Sequence, residues 1–341
     1  MRRTIRHALH KVLLSFAILL LDSITYQVNG AGARVIIAYS SINPNSSQLE
    51  IARVQDFYRK YGLDAEIILV RSSATATAGL AAGNVDLGYI GGSALLNAAT
   101  EGLPLKMLAS FDDQLKYDIM AKPEIKNVAD LRGKRFGVGS LGGTPWMAGK
   151  LAFEHLGLDE KRDRIQIVAM ANQTSRYQAL AQGSIDGAIL QGNFSRVLKA
   201  KGFTTIIDLE RANIPFVGAG VVVSSRLLRE KRDTVENVLK ALLLAQAFIN
   251  SPQNKSTVIK TMSTYLRENN PAALEDGFHV LKANMARKPY PSITGLNNIK
   301  RLLTISNLKV TEVKPEDLID DGLLRKLDGS GVLDRALTGT F

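Results

Sequence analysis

Cysteine is absent from all 341 residues. That excludes a disulfide framework and thiolate metal sites, and it excludes a lipid anchor attached at a cysteine. Histidine is nearly as scarce, with four in the chain. His7 and His10 fall in the N-terminal segment, which leaves His155 and His279. His155 sits in the helical stretch Phe153-Glu154-His155-Leu156 and reads as a surface or core residue, as does His279. Asp112-Asp113 is an adjacent acidic pair that reads as a loop cap. No Ser/His/Asp spacing and no metal-ligand cluster can be assembled, so neither an enzyme nor a cofactor or metal site is expected. Aromatics make up 6% of the chain, with a single tryptophan, and the +11 charge is scattered. Nucleic-acid binding would require a basic stripe interleaved with aromatics. No Gly-rich loop ends in Gly-Lys-Ser/Thr, so nucleotide hydrolysis is not expected. The charge supports only a general preference for anionic partners.

Long hydrophobic runs are missing too. Val12 to Leu21 is unbroken, but a bilayer span needs about 20 apolar residues. The run is preceded by Arg2, Arg3, Arg6 and Lys11, ended by Asp22, and followed by Ala31-Gly32-Ala33. A basic n-region, a short apolar core and an A-x-A site describe a secretory signal peptide. Residues 1–33 are therefore expected to be cleaved, and the remainder to be a soluble periplasmic protein.

The most informative positive feature is a repeat. Leu80 to Asp86 reads LAAGNVD, and Leu180 to Asp186 reads LAQGSID. Upstream lie Tyr61-Gly62-Leu63-Asp64 and Leu156-Gly157-Leu158-Asp159, and each copy opens on a strand-like run, Val35–Tyr39 and Arg135–Gly139. Within a copy the expected order is strand, polar loop, helix (Leu49–Tyr61; Trp146–Leu156), strand (Ala65–Val70; Ile165–Met170), helix ending at Gly83 or Gly183, and strand (Val85–Ile90; Ile185–Leu190). Gly62 and Gly157 fall where a residue past a helix end takes positive φ. Alternating strands and helices indicate an α/β fold with a mostly parallel sheet flanked by helices in each of two similar lobes. Tyr117–Lys122 and Val217–Ser224 read as crossover hinge strands. Lobe 1 is then residues 34–121 plus 219–341, the latter carrying a helical C-terminal tail, and lobe 2 is residues 122–218.

With this layout, Phe57 to Asp64, Leu80 to Asp86 and Ala129-Asp130-Leu131-Arg132-Gly133-Lys134-Arg135-Phe136-Gly137-Val138 resemble the type II periplasmic solute-binding proteins of ABC importers. The branch with nitrate, sulfonate, taurine and thiamine-pyrimidine-precursor binders is the most similar. The resemblance implies a non-enzymatic protein that holds a small solute between its lobes and delivers it to an ABC permease, working as a monomer. An exported sensor would use the same cleft, and pyrimidine synthases built on this fold give the enzymatic alternative. Those synthases rely on His and Cys. The pyrimidine-binding branch typically carries Trp and His in its first loop, where this chain reads Ser41-Ile42-Asn43-Pro44-Asn45.

In open α/β sheets ligands bind beyond the carboxyl ends of the strands. That places Ser40, Ser41, Asn43, Ser73, Gly92 and Ser93 on one wall of the cleft. Gly143, Thr144, Gln191 and Asn193 stand on the other, with Trp146 either walling the cleft or anchoring its helix. Each loop precedes a helix, so N–H groups and positive dipole ends favour an anionic group. The same Ser, Thr and Asn residues can equally serve as helix N-caps. The five loops hold no Arg or Lys apart from Arg71 and Arg196 at their margins.

Overall fold

The computed structural model describes residues 32–170 and 172–338; the signal-peptide reading falls almost entirely outside them. The strands in chain order are β1 (Ala33–Tyr39), β2 (Leu63–Leu69), β3 (Leu87–Gly91), β4 (Leu105–Ser110), β5 (Asp118–Ala121), β6 (Arg135–Val138), β7 (Gln166–Ala169), β8 (Gly187–Leu190), β9 (Thr204–Asp208) and β10 (Ala219–Ser224). They form two five-stranded sheets, β2-β1-β3-β10-β4 and β7-β6-β8-β5-β9. The two orders are the same once copies are aligned. In each, the strand next to the edge runs against the others: β10 is antiparallel to β3 and β4, and β5 to β8 and β9. The remaining pairs, β1 with β2 and β3, and β6 with β7 and β8, are parallel.

Each antiparallel strand is supplied by a chain crossing. After β4 the chain enters the second sheet through β5, and after β9 it returns through β10. This corrects the lobe boundary drawn at 121/122. β5 pairs with β8 and β9, so it belongs with lobe 2, and the connecting segments are 111–117 and 209–218. The apolar run Tyr117–Lys122 identified a strand; periodicity alone could not say which sheet would take it.

The repeated motif has a common structural task. Gly83 and Gly183 both adopt φ of +79° after their helices, Ser73–Ala82 and Gln173–Ala181. Asn84 N–H then donates to Gly79 O and Ser184 N–H to Ala179 O, 2.9 Å each. The acidic residue closing the motif ties the turn to the first strand of its copy. Asp86 Oδ2 accepts from Ile36 N–H and Asp186 Oδ2 from Arg135 N–H, both at 2.9 Å. Leu80 and Leu180 are fully buried beneath.

The first helix departs from expectation. Instead of one span, Ser47–Val54 and Phe57–Lys60 are separated at Asp56, which adopts a left-handed φ of 56°. The break lets Tyr58 turn into the core beside Leu63 and Ile51. The tail is helical as expected: Arg232–Asn250, Lys255–Leu266, Pro271–Asn284, Ile293–Leu303, Gly322–Gly329 and Val332–Thr338. Helix Arg232–Asn250 buries Val235, Val238, Leu239, Leu242 and Leu243 in the same core cluster as β1, β3 and β10 residues. That apolar face fixes the tail on the first sheet.

Candidate ligand-binding cleft

The carboxyl ends of β1 and β3 converge with the loops after β6 and β8 on a cleft of about 360 Å³. This is the size range of small-molecule sites. Ser40, Ser41, Asn43, Ser73 and Ser93 line it from the first sheet, and Thr144 and Gln191 from the second. Helices Gly92–Thr100 and Thr144–His155 start at its wall behind Gly91 and Gly143. Among the described residues no side chain caps either helix; Gly92 N–H donates to Val217 O at 3.2 Å, and the other first-turn N–H groups are not taken by a capping side chain.

Several of these side chains also hold the loops. Ser40 Oγ lies 2.7 Å from Ser73 Oγ, linking the first two loops. Asn43 Oδ1 accepts from Ser46 N–H at 3.1 Å, Ser46 Oγ accepts from Asn43 N–H at 3.0 Å, and Asn43 Nδ2 donates to Ser41 Oγ at 3.2 Å. Asn43 therefore shapes its loop as well as lining the cleft. The cap of helix Ser73–Ala82 is Ser72, which accepts from Thr75 N–H, so Ser73 is not occupied as the cap.

The remaining expected residues are placed differently. Gly92 is absent from the lining. A Cβ there would stand 2.8 Å from Leu296 and 3.1 Å from Val217, so the glycine permits helix Ile293–Leu303 to pack closely. Gly143 is the N-cap behind Thr144 rather than a wall. Trp146 is 7% exposed and belongs to the core, with Lys150 Nζ 5.8 Å from its ring centre; of its two readings the anchor is the one observed. Asn193 opens helix Asn193–Ala200, but its side chain lies outside the described part of the structure. His155 and His279 do not line this cleft.

Further residues complete the walls. Tyr39 and Tyr89 rise from β1 and β3, the two connectors contribute Asp112, Gln114, Lys116 and Tyr117 on one side and Phe216, Val217 and Gly218 on the other, and Ala219 opens β10. Lys116 thus brings a cation to the cleft from a segment outside the five loops. Its ammonium donates to Gln114 Oε1 at 2.6 Å and Glu210 Oε1 at 3.3 Å. Asp112, read from sequence as a loop cap, accepts from Asn45 Nδ2 through Oδ2 at 3.1 Å. Burial, and after it the charge of Asp113, pushes its carboxyl up to about 7 against the opposing pull of Lys116. Behind it, Tyr89 O–H donates to Gln48 Oε1 at 3.1 Å, and Gln48 Nε2 to Leu242 O at 3.0 Å. Helix Arg232–Asn250 thereby steadies the cleft floor.

Among the described residues two ion pairs cross between the halves. Arg301 in helix Ile293–Leu303 grips Glu154 of helix Thr144–His155 with both terminal nitrogens, and Arg196 pairs with Asp276 of helix Pro271–Asn284. Among the described residues no group of acidic, histidine or cysteine side chains could hold a metal ion, and no helix is long and apolar enough to cross a membrane.

Comparison with known proteins agrees with this architecture. A periplasmic sulfonate-binding protein, SsuA, of Methylobacillus flagellatus superposes with a TM-score of 0.72 at 18% identity, over 89% of this chain and 96% of that one. The periplasmic nitrate-binding protein NrtA of Synechocystis does so with a TM-score of 0.63 at 14% identity, over 91% and 92%. At such identities the likeness is one of fold. A protein of Brucella abortus described as a binding protein is 31% identical over 156 residues, which are 45% of this chain and 46% of that protein. The chain thus spans about half the length of the curated relatives it matches. The sequence model described as NMT1/THI5 like matches residues 43–255, and with more than half of its length inside that match the chain belongs to the NMT1/THI5-like family.

Proposed function

We propose that the protein is the exported solute-binding component of an ABC importer, capturing a small solute in the cleft and presenting it to a membrane permease. The observation that carries this reading is the composition of the cleft. Hydroxyl and amide side chains from the ends of four strands in two sheets face one small volume, with uncapped helix starts on both walls. Such a site binds a polar solute by many directional bonds. An anionic or acceptor group on the solute fits the helix starts and Lys116. Residues 1–33 act as the export signal, placing the mature protein in the periplasm as a monomer.

Capture works through closure. The solute favours the closed arrangement only by contacts made there and not in the open one. Segments 111–117 and 209–218 join the sheets and are where the bending is assigned, a motion of the hinge type. The test is a thermal-shift screen of the purified protein against sulfonates, nitrate, carboxylates and pyrimidines. A ligand at 100 times its Kd adds about 2.7 kcal/mol, a rise of a few degrees for a chain of this size. A response confined to one chemical class supports capture and names the class; a flat response across all classes contradicts it.

A further inference from the structure

The cleft wall contains one carboxylate whose hydrogen-bonding capacity is underused. Asp112 sits on the connector between β4 and β5 and lines the cleft. Its place is built into the fold. Gly218 N–H donates to Asp112 O at 2.7 Å, and a Cβ on Gly218 would stand 2.4 Å from Asp112 Oδ2. Only glycine leaves room for the carboxylate there. A carboxylate offers about four acceptor positions, yet Oδ2 takes the Asn45 amide while Oδ1, shielded from solvent, has no partner among the described residues. The nearby side-chain donors are committed elsewhere, Tyr89 O–H to Gln48 and Lys116 to Gln114 and Glu210; besides Asn45, the Gln114 backbone and the charge of Lys116 favour the ionised carboxylate. The small cavity behind Asp112, about 10 Å³, holds at most a single water. Lys116 is the one other charged residue among those lining the cleft.

Resting on the capture reading above, we propose that the solute is amphoteric: it carries an amine or similar N–H donor that seats on the carboxylate of Asp112, in addition to an acceptor or anionic group. Asp112 is then the residue that separates such solutes from simple anions of the same size, because a simple anion leaves the carboxylate unpaired and facing a like charge. The raised carboxyl of Asp112 fits a group awaiting a cation. Its titratable surroundings are Asp113, Lys116, Tyr89 and Tyr117, and none of them supplies a direct ion pair to it.

The test compares matched pairs by calorimetric titration of the purified protein: 3-aminopropanesulfonate against propanesulfonate, 4-aminobutyrate against butyrate, and 4-aminopyrimidine against pyrimidine. In at least one pair the amino member is expected to bind about tenfold more tightly or better at a pH of about 8. The advantage should shrink at a pH of about 6 as Asp112 takes up a proton. Asp112→Asn is expected to collapse the ratio within that pair; should the variant fail to fold, the wild-type ratios and their pH dependence decide alone. Equal affinities within every pair, or a tighter des-amino member, overturn the proposal. So does the absence of binding by every amino member. If the wider screen still returns a hit in that case, the capture reading survives; if it too is flat, both fall.

Discussion

Asp86 and Asp186 occupy the same place in the two copies of the repeat, yet they are held differently. Both accept the first-strand N–H at 2.9 Å. Asp86 adds a distant Lys231 at 3.6 Å. Asp186 is gripped by Lys122 at 2.7 Å and by Nε and Nη2 of Arg135 at 3.1 Å. Burial works against its ionised form, but these bonds prevail and hold its carboxyl well below the ordinary range. The difference teaches what the repeat is for. The shared part, a carboxylate receiving a backbone N–H beneath a left-handed glycine, closes a turn in each sheet. The charged additions reinforce the second sheet, whose strands β5, β6, β7 and β8 are only four residues long. Neither aspartate lines the cleft.

The strongest way to probe that equivalence is to remove the leucine under each turn. Leu80→Ala and Leu180→Ala each delete a fully buried side chain and should cost about 2–5 kcal/mol, with similar values if the copies are energetically alike. Chemical denaturation measures both. A large loss in one copy alone would break the symmetry. Next in size, Asp186→Asn should cost about 2–3 kcal/mol and Asp86→Asn about 1 kcal/mol, so the ranking tests the role of the added charges. Linkage gives the same contrast a pH signature. Because the Asp186 carboxyl titrates below its unfolded value, its stabilisation is complete above about pH 4 and is lost as pH falls further toward the folded value. Wild type should shed this increment on acidification, whereas Asp186→Asn should not.

Gly218→Ala addresses the other half of the comparison, the segments the repeat does not contain. The added methyl meets Asp112 at 2.4 Å, and the overpacking should cost about 1–3 kcal/mol while moving the carboxylate out of the cleft wall. Melting temperature and the amino-probe ratio would report the two effects separately.

The legibility of the sequence follows the same division. The elements of each copy could be read because turn glycines, apolar strands and the closing aspartate recur in order and depend on local chemistry. The loops carrying Ser40, Ser41, Asn43, Ser73, Ser93, Thr144 and Gln191 could be placed because strand ends in such sheets point to a common crevice. Asp112, Gln114, Lys116 and Gly218 could not. They belong to connectors whose position depends on β5 and β10 each inserting into the other half's sheet, a long-range pairing with no local period. Trp146 packs in the core and Gly92 against helix Ile293–Leu303: proximity to a loop does not say which side of a helix start faces the core. Asp56, which splits the first helix, leaves no mark in the apolar pattern around it.

The most direct test of the account is the affinity of the captured solute for Ser93→Ala and Thr144→Ala, one from each wall of the cleft. Both substitutions lie at helix starts and should leave stability within about 0.5–1 kcal/mol of wild type. A solute bridging the two sheets predicts that each variant binds it several-fold more weakly, about 1 kcal/mol per lost hydrogen bond. Unchanged affinity in both variants, with the fold intact, would contradict the cleft as the site of capture.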